Sequence, residues 1–298
     1  MSKPLVSVVV ASVNGLPALA ECLDALLDEE EDGALEVVVA DRVGGATRES
    51  VRRRDPARVQ LVEAGSETSI PRLRALAMAH ARGRLIVILE DHCNVAPGWL
   101  RALIQAHEDG WRAIGGAVAN ACTDRVVDRA VFFCEYARFM PPLDRGPVVE
   151  ITGNNSAYDR ELLASLGPEL DDEVWESFLH QRMSESGERF FCEPSMLVFH
   201  KKHFEFLYFV SQRYHYSRSF AGMRLAGAPL WRRLAYALAT PLLPPLLFLR
   251  ILRTVWAKGQ TRSFLGAAPA LVAFLIPWAW GETIGALFGP GRSLERVE

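Results

Sequence analysis

The chain has few of the features that would assign it to a simple class. Its 298 residues include five cysteines and no CxxC pair, which favours reduced thiols over a zinc site or disulfides. The formal net charge of −3 argues against a general nucleic-acid binder. No internal repeat is visible, and the opening residues, MSKPLVSVVVASVNG, contain one lysine and predict a first strand, not a signal peptide. The length allows one large domain and a smaller region beside it.

Apolar runs and helical spacing alternate along the first two thirds of the chain. Apolar runs predict strands, and leucines or alanines three and four residues apart predict helices between them. Repeated strand and helix at this spacing is typical of a doubly wound, mostly parallel α/β sheet. The predicted strands are Val6–Ala11, Leu35–Ala40, Val59–Glu63, Leu85–Leu89 and Ala113–Ala119, and the helices Leu16–Glu29, Ile70–Ala81, Trp99–Asp109 and Asp171–Ser186.

The last third is basic and apolar. Leu234–Leu249 and Phe264–Trp280 are nearly free of charge and close to the length that crosses a bilayer, but prolines interrupt both. The alternatives are a two-helix hairpin, a first segment that turns back at its Pro-Pro pair, and a soluble helical subdomain. Before them, Phe204–Met223 mixes aromatic and basic residues, as an amphipathic helix on an anionic membrane does.

The fourth predicted strand ends in Glu90, Asp91 and His92. Ligands bind at the carboxyl edge of open α/β sheets, so these side chains lie where a site is expected. Two carboxylates and an imidazole can hold a metal ion, which can hold a diphosphate. The alternative is a solvated strand end that caps the next turn.

Six motifs in order resemble the nucleotide-sugar glycosyltransferases of family 2, which have the GT-A fold. They are VSVVVASVNG, VVVADR, PRLRALAMAHARGR, VILEDHCNVAPGW, ITGNNSAYDRELL and WESFLHQRMSESG, and they extend from about Leu5 to His200. The resemblance implies a GT-A domain with a mixed, mostly parallel sheet. It also implies an inverting transfer from a nucleotide-diphosphate donor.

The resemblance assigns residues on the donor side. The motif at the end of the first strand, which helps to cradle the nucleotide, is Ala11-Ser12-Val13-Asn14 here. Asp41 stands where the family reads the base or ribose, and a cap of the following loop is the alternative. Arg72 corresponds to an arginine near the base and diphosphate, with a surface arginine as the alternative.

The same resemblance places the metal site at the fourth strand end. Glu90, Asp91 and His92 stand at the family's Asp-x-Asp, so Glu90 and Asp91 join the donor-binding residues, with Asp91 and His92 as metal ligands. An imidazole at the last position suits Mn²⁺ better than Mg²⁺. His200 stands where related enzymes use a histidine near the metal, and the expected cofactor is one of these divalent cations.

On the acceptor side, the resemblance makes Glu176 the catalytic base. Glu173 and Asp172 are the competing carboxylates, and His180, one helical turn on, could orient the base or be a structural histidine. Gly153, Asn154 and Asn155 correspond to an acceptor-binding segment, or make a turn.

The sequence therefore predicts a membrane-associated glycosyltransferase on the cytoplasmic face of the inner membrane, acting in cell-envelope polysaccharide biosynthesis. Its acceptor is a lipid or lipid-linked saccharide, and nucleic acid is not a partner. The domains are residues 1–203 for catalysis, 204–228 for an interface helix and 229–298 for membrane association. A catalytically degenerate sugar-nucleotide-binding scaffold is the alternative. A dinucleotide oxidoreductase is disfavoured, because Asn14-Gly15 does not build a GxGxxG turn.

Overall fold

The structure, a computed structural model, describes residues 4–29, 34–167 and 175–297. The chain forms two compact units: Met1–Ala121 with Phe139–Lys201, and Cys122–Arg138 with Lys202–Glu298. Residues 122–138 pack within the second unit.

A mixed sheet of nine strands, counted over the described residues, forms the first unit. The strand order is β3-β2-β1-β4-β8-β6-β9-β5, with β7 paired to β9. The strands are β1 Val6–Ser12, β2 Leu35–Asp41, β3 Val59–Glu63, β4 Leu85–Glu90, β5 Cys93–Val95, β6 Ala113–Asn120, β7 Gly146–Val148, β8 Asn155–Asp159 and β9 Phe190–His200. The parallel pairs span five to seven residues and the antiparallel pairs three to five, so the predicted mixed, mostly parallel α/β sheet is confirmed.

Parallel pairing brings three polar strand ends to one edge of the sheet. Strands β1 and β2 are buried at every position, as the apolar runs Val8–Ala11 and Val37–Ala40 within them predict. In their register, Ser12 lies beside Asp41, and Ala11 lies beside Glu90 of β4. The edge chosen from the sequence is therefore the one at which these side chains meet.

Helices of the first unit connect and cover the strands. They are α1 Ala18–Leu27, α2 Gly45–Arg52, α3 Ile70–His80, α4 Trp99–Glu108, α6 Arg160–Ser165 and α7 Glu176–Glu185. The hydroxyl of Ser69 caps α3 by accepting the Arg72 N–H, and proline stands in its first turn. The predicted helix Asp171–Ser186 is seen from Glu176, and residues 171–174 of it lie outside the described residues.

The second unit is helical. It comprises α5 Val126–Tyr136, α8 Phe206–Arg224, α9 Leu230–Ala239, α10 Leu243–Ala257 and α11 Thr261–Phe288. A 3₁₀ turn, Thr240–Leu242, joins α9 to α10, and Pro244 and Pro245 occupy the first turn of α10, where an N–H has no intrahelical partner. The chain thus stays helical through the Pro-Pro pair.

Two helical stretches of the described residues are long and apolar enough to cross a membrane. They are Leu230–Ala257 and Thr261–Phe288, with 28 residues each and mean hydropathy 1.6 in their most apolar window. Length and composition are weak support for membrane association, since core helices of soluble proteins share them.

Candidate active site

The carboxylate of Asp91 organises the loop that follows β1. Its Oδ2 accepts the backbone N–H groups of Val13 at 2.8 Å and Asn14 at 2.7 Å, and its Oδ1 accepts the Asn14 side-chain amide at 2.6 Å. Burial alone would raise the pKa of Asp91, but hydrogen bonds from His92 and Asn14 outweigh it, and the pKa lies below its usual range. Asp91 is therefore an ionised anchor for the loop predicted to cradle the nucleotide.

Asp91 also orients the ring of His92. The Nδ1 atom of His92 lies 3.1 Å from Oδ1 of Asp91, at hydrogen-bond distance. A proton on Nδ1 leaves the Nε2 lone pair of a neutral ring free to bind a cation. Carboxylates fix metal-binding histidines in proteins in this way.

His92 and His200 face each other. Their Nε2 atoms are 3.0 Å apart, and both side chains are buried. Antiparallel pairing of β5 with β9 explains this approach, since Cys93 pairs with His200 and the Lys201 N–H donates to the His92 carbonyl at 2.9 Å. Two imidazole nitrogens at this separation can share a hydrogen bond or bind one cation.

Glu90 adds an oxygen to the pair of imidazoles. Its Oε2 lies 3.4 Å from His92 Nε2, and Glu90, His92 and Cys93 present possible ligand atoms within 4.8 Å of one another. Burial, and then the charge of Glu90, raise the pKa of the Cys93 thiol well above its usual range, so the sulfur stays protonated. The donor set of carboxylate and imidazole suits Mn²⁺, and a protonated thiol is a poor ligand.

The segment 153–155 connects this group of residues to the predicted base. The Asn154 amide donates to Glu90 Oε2 at 3.3 Å. The α-carbon of Gly153 packs so closely on Glu176 that an added Cβ would lie 3.1 to 3.2 Å from its side-chain carbons. The adjacent residues Gly153 and Asn154 thus contact the carboxylate side chains of Glu176 and Glu90.

Asn155 has a different environment from Asn154. It is fully buried, and its amide nitrogen donates to the carbonyls of Ala117 at 3.0 Å and Met196 at 2.7 Å. Its oxygen accepts the Trp99 indole N–H at 3.0 Å. These bonds connect α4 with strands β6 and β9, and the acceptor contact of Asn155 stays a prediction.

Glu176 begins α7 and is buried against α3. Its Oε1 forms an ion pair with Nη1 of Arg74, and both side chains are at most one tenth exposed. Burial raises the pKa of Glu176, Arg74 opposes this effect, and the charge of Glu90 adds to it. A carboxylate with a raised pKa that is held ionised by an arginine can act as a general base near neutral pH.

His180 lies one turn after Glu176 but contacts a different group. Its Nε2 lies 2.6 Å from the hydroxyl of Tyr158, which donates to Ser156 Oγ at 2.7 Å. Burial lowers the pKa of His180 to about 4, so the ring is neutral at physiological pH. The contacts give His180 the structural role named as its alternative.

Asp41 and Ser12 form a second polar group at the sheet edge. The Ser12 hydroxyl donates to Asp41 Oδ1 at 2.7 Å, and Oδ2 accepts the Gly44 N–H and Arg48 Nε at 2.8 and 2.9 Å. Asp41 is fully buried beneath these partners. It lies at the predicted strand end, and Arg48 is a cation at this place that the sequence did not single out.

Arg72 stays a predicted donor-binding residue, and the sequence did not single out Arg74, which pairs with the predicted catalytic base Glu176. Arg72 is half-buried, and Arg74 lies on the buried face of α3 with Leu73 and Ala77. The sequence pattern indicated this, because Arg74 lies one position after Leu73 and three before Ala77, on the buried face of the helix. The competing carboxylates Asp172 and Glu173 lie outside the described residues.

Comparison with solved structures shows the fold. PcManGT, a mannosyltransferase from Pyrobaculum calidifontis in complex with GDP-Man and Mn²⁺, is 21% identical at a TM-score of 0.55, over 94% of this chain and 87% of that chain. GalNAc-T7 with UDP, GalNAc and Mn²⁺ is 14% identical at a TM-score of 0.53, over 68% of this chain and 45% of that chain. TarS from S. aureus, residues 1–349, is 12% identical at a TM-score of 0.52, over 94% of this chain and 90% of that chain. These neighbours confirm the predicted GT-A fold.

Comparison with curated protein sequences gives no significant match. The model of the family described as glycosyl transferase family 2 matches residues 7–167, more than half of the chain. That range contains the β1 loop, the Glu90-Asp91-His92 strand end and the Gly153–Asn155 segment. The chain therefore belongs to glycosyl transferase family 2, as its motifs indicated.

Proposed function

We propose that the protein transfers a sugar from a nucleotide-diphosphate donor to a membrane-linked acceptor, with inversion at the anomeric carbon. The observation that carries this proposal is the buried Glu176 carboxylate beside the segment that also contacts Glu90. Glycosyltransferase membership supports the reaction class, and the neighbours PcManGT and GalNAc-T7 hold GDP-Man and UDP.

In the proposed reaction, Glu176 removes the proton of the acceptor hydroxyl. Arg74 holds its Oε1, and we assign Oε2 to the acceptor. The hydroxyl oxygen then attacks the anomeric carbon from the face opposite the leaving nucleotide diphosphate. General-base assistance of this kind contributes about 10²- to 10⁴-fold to a rate.

A divalent cation fits the residues at the β4 end. We propose that Glu90, His92 and His200 hold it, because their ligand atoms converge, and that Asp91 positions His92. The motif predicted Asp91, His92 and His200 as ligands, and in this proposal Glu90 takes the place of Asp91. When bound, the cation neutralises charge on the leaving diphosphate, and Mn²⁺ is favoured by the two imidazoles.

The nucleotide binds the loop after β1 in this proposal. Asp91 fixes the backbone of Val13 and Asn14, while Asp41 and Arg48 lie at the adjacent strand end for the nucleoside. On the acceptor side, Gly153 and Asn154 border the base. The apolar helices of the second unit support an acceptor in the membrane, and we place the site on its cytoplasmic face.

The experiment is a transfer assay with a panel of UDP- and GDP-sugars, Mn²⁺ and polyprenyl phosphate or lipid-linked saccharide in vesicles. We expect release of nucleoside diphosphate and a product of inverted anomeric configuration. Donor binding without release for any acceptor would instead identify the degenerate scaffold. Absence of nucleotide-sugar binding across the panel would overturn both functions.

A matched metal test uses His92→Gln and His200→Gln, with His80→Gln as the control on an exposed histidine. We expect Mn²⁺ to raise the thermal stability of the unaltered protein and of His80→Gln, and not of the other two variants. Nucleotide binding that is indifferent to Mn²⁺ in all four proteins would remove the cation from the proposal.

A further inference from the structure

The two apolar helical stretches of the second unit each expose one apolar stripe. Their exposed side chains recur at intervals of three, four, seven or eight residues, which correspond to one or two helical turns, so they lie along one helix face. On the first stretch they are Trp231, Leu234, Leu238, Leu242, Leu246, Leu249 and Trp256, and on α11 they are Leu265, Val272, Ile276, Trp280 and Phe288. Exposed apolar surface of this extent marks a site of interaction.

The other face of α11 packs on α5 and α8 along most of its length. Near its start, Phe264 contacts Phe133 of α5, with ring centroids 5.7 Å apart. In its middle, Phe274 contacts Phe209 of α8 at 4.7 Å. Near its end, Gly285 packs so closely on the α8 backbone that a Cβ there would lie 2.3 Å from the Arg218 carbonyl oxygen.

Helices α5 and α8 are too polar to accompany α11 through hydrocarbon. The guanidinium of Arg213 in α8 lies 3.9 Å from the centre of the Trp278 ring of α11 and also pairs with Glu135 of α5 at 3.4 Å. Charged side chains in the bilayer core are costly, and a crossing helix needs about 20 residues in apolar surroundings. The packed face of α11 therefore belongs on the aqueous side.

Basic residues accompany the apolar stripes. Within 230–288 the sequence has one acidic residue, the buried Glu282. The basic residues of this range are Arg232, Arg233, Arg250, Arg253, Lys258 and Arg262. Trp231 and Trp256, near the two ends of the first stretch, are exposed, as tryptophans that anchor a helix at a membrane interface are. Cations beside an apolar stripe complement anionic headgroups above acyl chains.

We propose that the two stretches lie in one leaflet of an anionic bilayer, with their exposed stripes inserted, and do not cross it. This inference deepens the membrane-linked acceptor proposed above by specifying how the protein meets the membrane. Because neither stretch crosses the bilayer, the chain before and after each of them stays on one side of it. Hydrolysis of a nucleotide sugar in detergent needs no membrane, so that assay separates a failure of this inference from a failure of the proposed function.

The first experiment is flotation of the purified full chain with phosphatidylcholine vesicles that contain none or a quarter phosphatidylglycerol. We expect Leu238→Asp and Leu246→Asp each to lower the partition coefficient at least about tenfold, since each replaces an exposed leucine of the stripe that is proposed to insert into the bilayer. Arg232→Gln and Arg253→Gln should each lower it about fivefold on anionic vesicles alone. Val149→Asp, a change at an exposed apolar residue of the first unit, is the matched control.

The second experiment tests crossing. Gln260→Cys lies in the connection between the two stretches, and Ser66→Cys lies on the first unit; both native side chains are exposed. An impermeant maleimide is applied to intact spheroplasts and to sealed inside-out vesicles of the expression host. We expect Gln260→Cys to react from the side that labels Ser66→Cys, or from neither side until detergent is added.

Three results would overturn the inference. Labelling of Gln260→Cys only from the side opposite Ser66→Cys would show a transmembrane hairpin. Failure of the unaltered chain to float with anionic vesicles would remove the bilayer as the partner. Self-association that is abolished by Leu238→Asp while flotation is retained would assign the stripe to a second copy of the chain.

Discussion

Replacing Arg74 with methionine tests the electrostatics of the proposed base. Arg74 and Glu176 form an ion pair with little exposure, and the arginine opposes the rise that burial causes in the pKa of Glu176. An opposite charge in contact lowers the pKa of a carboxyl by about 1 to 3, or about 1.4 to 4 kcal/mol. Arg74→Met should therefore move the acidic limb of the kcat/KM profile to higher pH by about 1 to 3.

The assay is kcat/KM for sugar transfer between pH 5 and 9. Below its shifted limb, the Arg74→Met variant should lose about 10- to 1,000-fold in rate and regain activity as the pH rises. Arg74→Lys keeps the positive charge, so its acidic limb should lie close to that of the unaltered protein. Arg72→Met, which removes an arginine predicted to bind the donor, should raise KM without displacing the limb.

Stability gives an independent readout of the same pair. The folded-state pKa of Glu176 is raised, so its protonation favours the folded state, and its contribution to stability falls as pH rises through that pKa. The difference in unfolding free energy between the unaltered protein and Arg74→Met should grow with pH, toward about 3 kcal/mol. A folded Arg74→Met variant with an unmoved limb and a pH-independent difference would refute the reasoning.

Three further changes test the contacts around the site. Asp91→Asn should cost about 2 to 4 kcal/mol in chemical unfolding without metal, because three N–H donors of the β1 loop lose a carboxylate; an unchanged midpoint would contradict its anchoring role. Gly153→Ala should lower kcat with little change in donor affinity, because the added Cβ crowds Glu176. Gly146→Ala is the control, because its added Cβ meets nothing within 4 Å; its φ of 153° predicts only a small loss of stability. Asn155→Ala should lower the melting temperature by several degrees through lost bonds to three elements, and a purely catalytic defect would contradict this role.

The longer strands and the edge that carries the site were predictable from local sequence. Strands β1, β2 and β4 are buried on both faces, so each contains an apolar run of four or five residues that ends in a polar residue. Three-residue strands such as β5 have no periodicity to detect. The prediction therefore located Glu90, Asp91 and His92 at a ligand-binding edge without the strand pairing that brings His200 beside His92.

Side-chain partners were harder to predict, because they depend on contacts between residues far apart in the chain. Asp91 and His92 are adjacent in sequence, yet one side chain turns to the β1 loop and the other to His200 on β9. The resemblance to the family gave both residues as metal ligands, and did not show that Asp91 orients His92. Arg74, by contrast, was accessible from local pattern, because a charged residue on the inward stripe of an amphipathic helix requires a buried partner.

The comparison of Glu176→Gln with Glu185→Gln tests the central claim most directly. Both residues lie on α7, and Glu185 is exposed at the other end of the helix. In the transfer assay, Glu176→Gln should lose about 10²- to 10⁴-fold in kcat while its donor dissociation constant stays within about twofold, and Glu185→Gln should match the unaltered protein. Transfer by Glu176→Gln at the unaltered rate would contradict the assignment of Glu176 as the base.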